Sequence, residues 1–274
     1  MNTRILAFAG AKQAGKSTCC NFLHGYQLRA QEVVQDFFID NQGKLAVKTE
    51  ILLAEGKKEV GDTYIDLNRK DAEFIEWAIY HMWPFVKKYS FADSLKDISV
   101  GLFGLTNEQV YGTEAYKMQQ VPHLRWENMP GRSKNNRKKS GPMTVREFLQ
   151  YFGTNICRKM YEPIWINRCI KNIQEEESLL AVIDDCRFGN EIKAIQEAGG
   201  KVIALTRRPY EDSHASEQII KENPDAFDVI IDNKDMDIKD LCVEVIKQLN
   251  EWGWLGEPTV TNHKKGLHTI KAKD

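Results

Sequence analysis

Apolar and polar positions follow two rhythms along the chain. Arg4–Ala9 carries Ile5, Leu6 and Phe8 in a short apolar run that predicts a buried strand. Gly10 breaks the run, and a helix-compatible stretch follows from Lys16 toward Leu28. Leu179–Ile183 is a second apolar run and ends in Asp184 and Asp185. An amphipathic segment, Glu191–Ala198, comes next, then Gly199 and Gly200, then a third run at Lys201–Thr206. Apolar run, helix, glycine pair, apolar run is the βαβ rhythm of a parallel sheet buried on both faces. Asp228–Asp232 predicts a fourth strand, and Ile238–Leu249 a closing helix with Leu241, Val245 and Leu249 on one face. The predicted class is α/β, a parallel sheet flanked by helices.

Two stretches depart from this rhythm. In residues 34–66, Phe37–Ile39 and Leu45–Val47 flank Asn41, Gln42 and Gly43, which predicts a hairpin. Residues 122–142 carry six basic residues against one acid, Glu127, and are punctuated by Pro122, Pro130, Gly131, Gly141 and Pro142. That punctuation predicts a long basic loop without regular structure, and loops of this length are usually functional or disordered. The expected organisation is a single domain over residues 1–254, with a 26–88 insertion, a basic lid over 117–143, and a loose tail over 255–274.

Composition narrows the function classes. The 274 residues have a formal net charge of −1, with 42% hydrophobic and 28% charged residues. This balance excludes a disordered polyelectrolyte and argues against nucleic acid as a partner. The longest apolar runs fall far short of the roughly 20 residues that span a bilayer, so no membrane partner is expected. No charged segment leads into an apolar one as an export signal does, which gives a cytoplasmic expectation. Six cysteines without a C-x-x-C pair exclude a four-ligand zinc site and read as reduced thiols.

The strongest chemical signal runs from Gly10 to Ser17, where Gly-Ala-Lys-Gln-Ala-Gly-Lys-Ser matches G-x-x-x-x-G-K-[ST] in full. Its glycines let successive backbone N–H groups turn toward one anion, and the helix that follows adds its dipole. Lys16 is suited to β- and γ-phosphate oxygens, and the Ser17 hydroxyl to Mg²⁺. The match follows a strand and precedes a helix, which makes the fold class that of a P-loop NTPase. Asp184 and Asp185, at the end of an apolar run, supply the acid that holds Mg²⁺ directly or through water; the competing reading is a pair of solvated turn aspartates.

A kinase whose acceptor is itself a phosphate must neutralise two approaching phosphate groups and exclude water. Arginines suit this, because their guanidinium forks match phosphate oxygens. Arg146, Arg158, Arg168 and Arg187 are candidates, with Arg187 just beyond a strand's carboxyl end, where α/β ligand crevices open. The basic loop with Arg125, Arg132 and Arg137 fits a mobile lid; its competing reading is a nucleic-acid contact patch.

Several blocks in order behind the P-loop resemble the deoxynucleoside monophosphate kinases of tailed phages. They are Phe91–Asp97, Val110–Thr113, Thr144–Thr154, Trp165, Asp184–Glu191 and Gly199–Ile203. The resemblance implies a nucleoside-monophosphate-kinase-like fold, usually dimeric, and phosphate transfer from ATP to a deoxynucleoside monophosphate with Mg²⁺. It implies that Ala14, Gly15, Lys16, Ser17 and Thr18 hold the ATP phosphates and that Lys12 reaches the acceptor phosphate. Ala92 and Asp93 would border the acceptor nucleotide, and Arg146 would bridge the transferring phosphates. Gly153 and Thr154 would shape the pocket, and Trp165 would stack on or wall the base. Asp185, Arg187 and Glu191 would read the deoxynucleoside and its phosphate. Where the family places an acceptor-phosphate arginine after the segment matching Tyr111–Tyr116, this chain has Lys117 and, further on, Arg125. The 26–88 segment is longer than in the family. His214, Glu217 and Asn233 would lie where the family approaches the ATP adenine. Another small-molecule P-loop kinase, of the dephospho-coenzyme A kinase type, shares these features. A non-catalytic nucleotide-gated binder and a nucleic-acid-dependent ATPase are the remaining alternatives.

Overall fold

The computed structural model describes residues 3–52, 58–131, 139–208, 219–220 and 222–254. Its strands are β1 (Arg4–Gly10), β2 (Asp36–Ile39), β3 (Leu45–Leu52), β4 (Lys58–Ile65), β5 (Val86–Tyr89), β6 (Gln120–Arg125), β7 (Pro142–Thr144), β8 (Leu180–Cys186), β9 (Lys201–Leu205) and β10 (Val229–Ile231). The α-helices among the described residues are α1 (Lys16–Ala30), α2 (Ala72–His81), α3 (Asp93–Phe103), α4 (Asn107–Tyr111), α5 (Glu114–Lys117), α6 (Val145–Gln150), α7 (Arg158–Met160), α8 (Ile164–Glu176), α9 (Gly189–Glu197) and Ile238–Glu251, here α10. The chain divides into two compact units, Met1–Tyr89 with Ile173–Asp274, and Ser90–Asn172.

The first unit is built on a parallel five-stranded sheet of order β10-β9-β1-β8-β5. Burial on both faces explains the apolar runs that mark β1, β8 and β9 in the sequence. Leu6, Phe8, Leu23, Leu28, Val182, Ile203, Leu241 and Val245 join one core around it. This is the mixed α/β arrangement that the sequence pattern predicts for a P-loop fold. The edge strand β5 carries no such run, since Lys87 and Lys88 occupy its middle. In a strand, neighbouring side chains take opposite faces. Lys87 accordingly pairs with Glu176 and Lys88 with Asp184.

The hairpin predicted around Asn41–Gly43 is present as β2 and β3, paired Phe37 to Val47 and Ile39 to Leu45. A third strand, β4, extends it into a separate antiparallel sheet.

The second unit is mainly helical. Leu105, Val110, Val121, Trp126, Val145, Phe148 and Tyr151 form its core, and Phe148 stacks with Phe152 at 5.5 Å between ring centroids. Thr144 caps α6 in a reciprocal arrangement with Glu147, satisfying two amides that a helix start leaves open. Here one expectation is corrected. Residues 122–142 are not wholly irregular: β6 runs through Pro122 and pairs with β7, and Trp126–Asn128 forms a 3₁₀ turn. The register shifts between Val121 and Arg125. A two-stranded ribbon tolerates a proline, because edge strands and bulges leave positions that need no ladder donor. Arg125 is therefore the last residue of a strand, while Arg132 and Arg137 lie outside the described residues.

Candidate active site

The first unit holds the loop that carries the G-x-x-x-x-G-K-S motif. Between β1 and α1, Gly10 has φ 142°, and a Cβ there would stand 2.6 Å from the Leu205 carbonyl oxygen. Glycine is needed for that approach. Helix α1 starts from Gly15 with no side-chain cap and no acid in its first turn. Its first ladder bond runs from the Cys19 N–H to the Gly15 carbonyl at 2.9 Å. Lys16, Ser17 and Thr18 thus present amides of the kind that a helix start leaves without an internal acceptor, with the dipole's positive end behind them. From below, the fully buried Asn233 donates through Nδ2 to the Ala14 carbonyl at 2.8 Å. Its Oδ1 accepts from the Arg207 N–H at 2.9 Å, so the side chain pins the loop's backbone. His214 and Glu217 lie outside the described residues.

Lys16 folds over this loop and donates to the carbonyls of Gly10 at 2.8 Å and Ala11 at 2.5 Å. Burial lowers its pKa to about 8, and the positive charge of Arg187 adds to the effect. Ser17 donates to Asp184 Oδ2 at 2.8 Å. The same carboxylate oxygen lies 3.1 Å from the Lys88 ammonium, which also donates to Asn68 Oδ1 at 3.1 Å. A hydroxyl beside a carboxylate is a hard-oxygen set of the type Mg²⁺ takes. The residues present fit that ion.

Strand β8 presents its two aspartates through an irregularity. Ala7 pairs with Ile183 and Ala9 with Cys186, so Asp184 and Asp185 together oppose the single residue Phe8. Such a bulge re-aims side chains and is common beside active sites. Asp184 is buried and Asp185 half-buried. Past the strand, the buried Glu191 accepts through Oε2 from the N–H groups of Arg187 at 2.7 Å and Phe188 at 3.1 Å. One acid thereby fixes the backbone on which the exposed Arg187 side chain stands. Lys12 is exposed at the loop's crest.

The second unit holds the other candidates. Ala92 and Asp93 open α3, where Asp93 Oδ2 accepts from the Ser90 N–H at 2.9 Å and Oδ1 lies 3.4 Å from Lys96. Arg146, in the first turn of α6, pairs with Glu114 on α5 and keeps 40% of its side chain exposed. Gly153 and Thr154 fall in a π-helical segment, Tyr151–Cys157, a geometry often found at functional sites. Trp165 is buried, and its indole N–H donates to the Gly153 carbonyl at 3.1 Å. Arg125 is exposed and 3.5 Å from Glu127.

The first unit thus brings Lys16, Ser17, Asp184 and Arg187's charge into one cluster, and the second brings Gly153 to Trp165. The family model for deoxynucleotide monophosphate kinase matches residues 4–245. The chain belongs to that family. It is, with the family, a phosphotransferase. A protein of Acanthamoeba polyphaga mimivirus, provisionally named a deoxynucleotide monophosphate kinase, is 32% identical over 165 residues, covering 55% of this chain and 76% of the viral one.

Two residues of the kinase escape the sequence pattern. Lys88 is one of two adjacent lysines on a short edge strand, and only the sheet order brings it to Asp184. His24 is fully buried on α1. Its Nδ1 donates to the Cys20 carbonyl at 2.8 Å, and its Nε2 has no hydrogen-bond partner among the described residues. Burial lowers its pKa to about 4. No described helix is long and apolar enough to cross a membrane.

Proposed function

We propose that the kinase transfers the γ-phosphoryl group of ATP, with Mg²⁺, to the 5′-phosphate of a deoxynucleoside monophosphate by in-line displacement. The observation that carries this reading is the 2.8 Å Ser17–Asp184 hydrogen bond at the uncapped start of α1, beside the folded-over Lys16. Ala14, Gly15, Lys16, Ser17 and Thr18 are assigned to the ATP phosphates, chiefly through backbone amides. Mg²⁺, held by Ser17 and Asp184, would neutralise charge on those phosphates. The Lys16 ammonium would exchange its two carbonyl acceptors for phosphate oxygens, whose charge favours the protonated form that burial disfavours.

No general base is required, since the acceptor phosphate is already anionic. Catalysis is then positioning and charge stabilisation, from Lys16, Lys12, Arg146 and Arg187. The family resemblance assigns the acceptor to Lys12, Ala92, Asp93, Arg146, Gly153, Thr154, Trp165, Asp185, Arg187 and Glu191. Glu191 serves there by holding the Arg187 backbone, and Trp165 by walling the pocket behind Gly153. The segment with Arg125, Arg132 and Arg137 is assigned as a lid that excludes water. On the family resemblance, the enzyme acts as a homodimer, and its reduced thiols suit a cytoplasm.

The test is an acceptor panel with ATP and Mg²⁺: the deoxynucleoside monophosphates, their ribonucleotide counterparts, dephospho-coenzyme A, and DNA. ADP release that depends on one or more deoxynucleoside monophosphates is the expected result. Release driven by dephospho-coenzyme A or by DNA, with none from deoxynucleotides, would overturn the proposal.

A further inference from the structure

The three-stranded sheet β2–β3–β4 belongs to the inserted segment, for which the family resemblance supplies no role. It lies along α1 by a single stripe of that helix. Asp36 approaches Arg29 at 3.7 Å. The Phe37 ring packs on Phe22 at 5.8 Å between centroids, and it sits where a Cβ on Gly25 would come within 2.3 Å of it. Asn21 donates through Nδ2 to the Gly43 carbonyl at 2.8 Å. Gly43 itself presses on Thr18, since a Cβ there would stand 2.3 Å from Thr18 Oγ1. Thr18, Asn21, Phe22, Gly25 and Arg29 are spaced three and four apart, which is one face of a helix.

The turn that reaches Thr18 is rigidly tied. Asp40 Oδ1 accepts from the N–H groups of Gln42 and Lys44, each at 2.8 Å. The Gly43 N–H donates to the Asp40 carbonyl at 2.9 Å, and the Asp40 N–H to the Lys44 carbonyl at 3.0 Å. Gly43 is buried with φ 77°, a left-handed conformation that a Cβ would strain. A fixed turn is thus seated on a residue of the first turn of α1, one position past Ser17. The loop and the start of α1 are thus met at two places: Asn233 donates to the Ala14 carbonyl, and the β2–β3 turn, bonded to Asn21, lies against Thr18.

We propose that the β2–β3 turn is a positioning element for the donor nucleotide, with Gly43 and Asn21 fixing Thr18 at the phosphate end of α1. The inserted sheet thereby acts on ATP binding through Thr18, and not only as a cover for the helix. The inference rests on the assignment of ATP to the P-loop. Placement errors well below an ångström matter here, because amide donors lose strength quickly with distance and angle.

The experiment measures MgATP dissociation constants by calorimetry on the full chain. The variants are Gly43→Ala, Thr18→Ala, their double mutant, and Asn21→Ala, each checked for fold by circular dichroism. Gly43→Ala should weaken MgATP about tenfold or more, through the forced displacement of Thr18. In the Thr18→Ala background, where Oγ1 is gone, the same change should cost less than about twofold further; contacting residues couple in this way. Asn21→Ala, which removes the clip without steric pressure, should weaken MgATP roughly threefold and leave the acceptor KM within about twofold. A folded Gly43→Ala protein that binds MgATP as the wild type does would overturn the inference, and so would losses that multiply independently in the double mutant. If Gly43→Ala does not fold, an unchanged constant for Asn21→Ala overturns it. A wild-type chain that binds MgATP but phosphorylates no deoxynucleotide would instead sink the proposed acceptor and leave this inference standing.

Discussion

The two units treat their charged candidates differently. In the P-loop unit, Lys16, Glu191 and Asn233 are held by short hydrogen bonds to backbone and Asp184 by the Ser17 hydroxyl and the Lys88 ammonium, and Asp184, Glu191 and Asn233 are buried. In the Ser90–Asn172 unit, Arg146 is part-exposed and paired with the exposed Glu114 on a neighbouring helix. Buried, hydrogen-bonded groups cannot relax when a partner is removed, whereas exposed ion pairs are screened and exchange for water at little cost. The first unit is therefore organised before any ligand arrives. Under the proposed assignment, Arg146 of the second trades its carboxylate partner for a phosphate.

The sharpest way to break this contrast is to remove the fixed charge. Lys16→Ala should lower kcat/KM by about 10²–10³, the usual loss for one contact made to transition-state charge. Thermal stability should hold or rise, because a half-buried ammonium that costs desolvation is gone. Steady-state kinetics with a parallel melting curve reads both; a retained rate would show that the preorganised cradle is not where the chemistry is helped.

His24 tests the same unit through pH. Burial holds its pKa at about 4 against the raising effect of the Cys20 carbonyl; the Lys88 charge lowers it further, and Asp184 raises it by less. Between its ordinary value near 6.5 and about 4, the unfolded chain takes up a proton that the native protein refuses. Stability attributable to this group therefore falls as pH drops through that window, by roughly 3 kcal/mol in full, and is complete above it. His24→Met should flatten the dependence of the urea midpoint on pH between 6.5 and 4. An unchanged slope would place the sensitivity elsewhere.

In the second unit the expected effects are smaller. Trp165→Phe deletes the donor to the Gly153 carbonyl and should cost about 1–2 kcal/mol of stability. Under the proposed assignment it should also raise the acceptor KM more than the ATP KM. Smallest is Thr144→Ala, which removes one side of the capping pair with Glu147 and should cost about 1 kcal/mol, read by denaturant titration. Should Thr144→Ala lower turnover as much as Lys16→Ala does, the division between a fixed and an adaptable half would be wrong.

The parallel sheet was readable where strands are buried on both faces. β1, β8 and β9 announce themselves as apolar runs, and Ile238–Leu249 as a striped helix. β5 was not readable, because an edge strand with two lysines has no periodic signature. β6 and β7 were hidden by prolines that a short ribbon can accommodate. The P-loop was legible for a different reason: its chemistry needs particular residues at fixed spacing in one continuous segment, so the motif survives without any knowledge of the fold.

The sequence by itself determined the P-loop motif, the acid pair near the end of β8 and the family resemblance, since each is written in short contiguous blocks whose residue types can be read without the fold. Only the tertiary structure decided that Asp184 is shared by Ser17 and Lys88, that Asn233 pins Ala14, and that Gly43 meets Thr18. Those pairs lie far apart along the chain, and nothing local favours one partner over another until sheet order and helix packing bring them together.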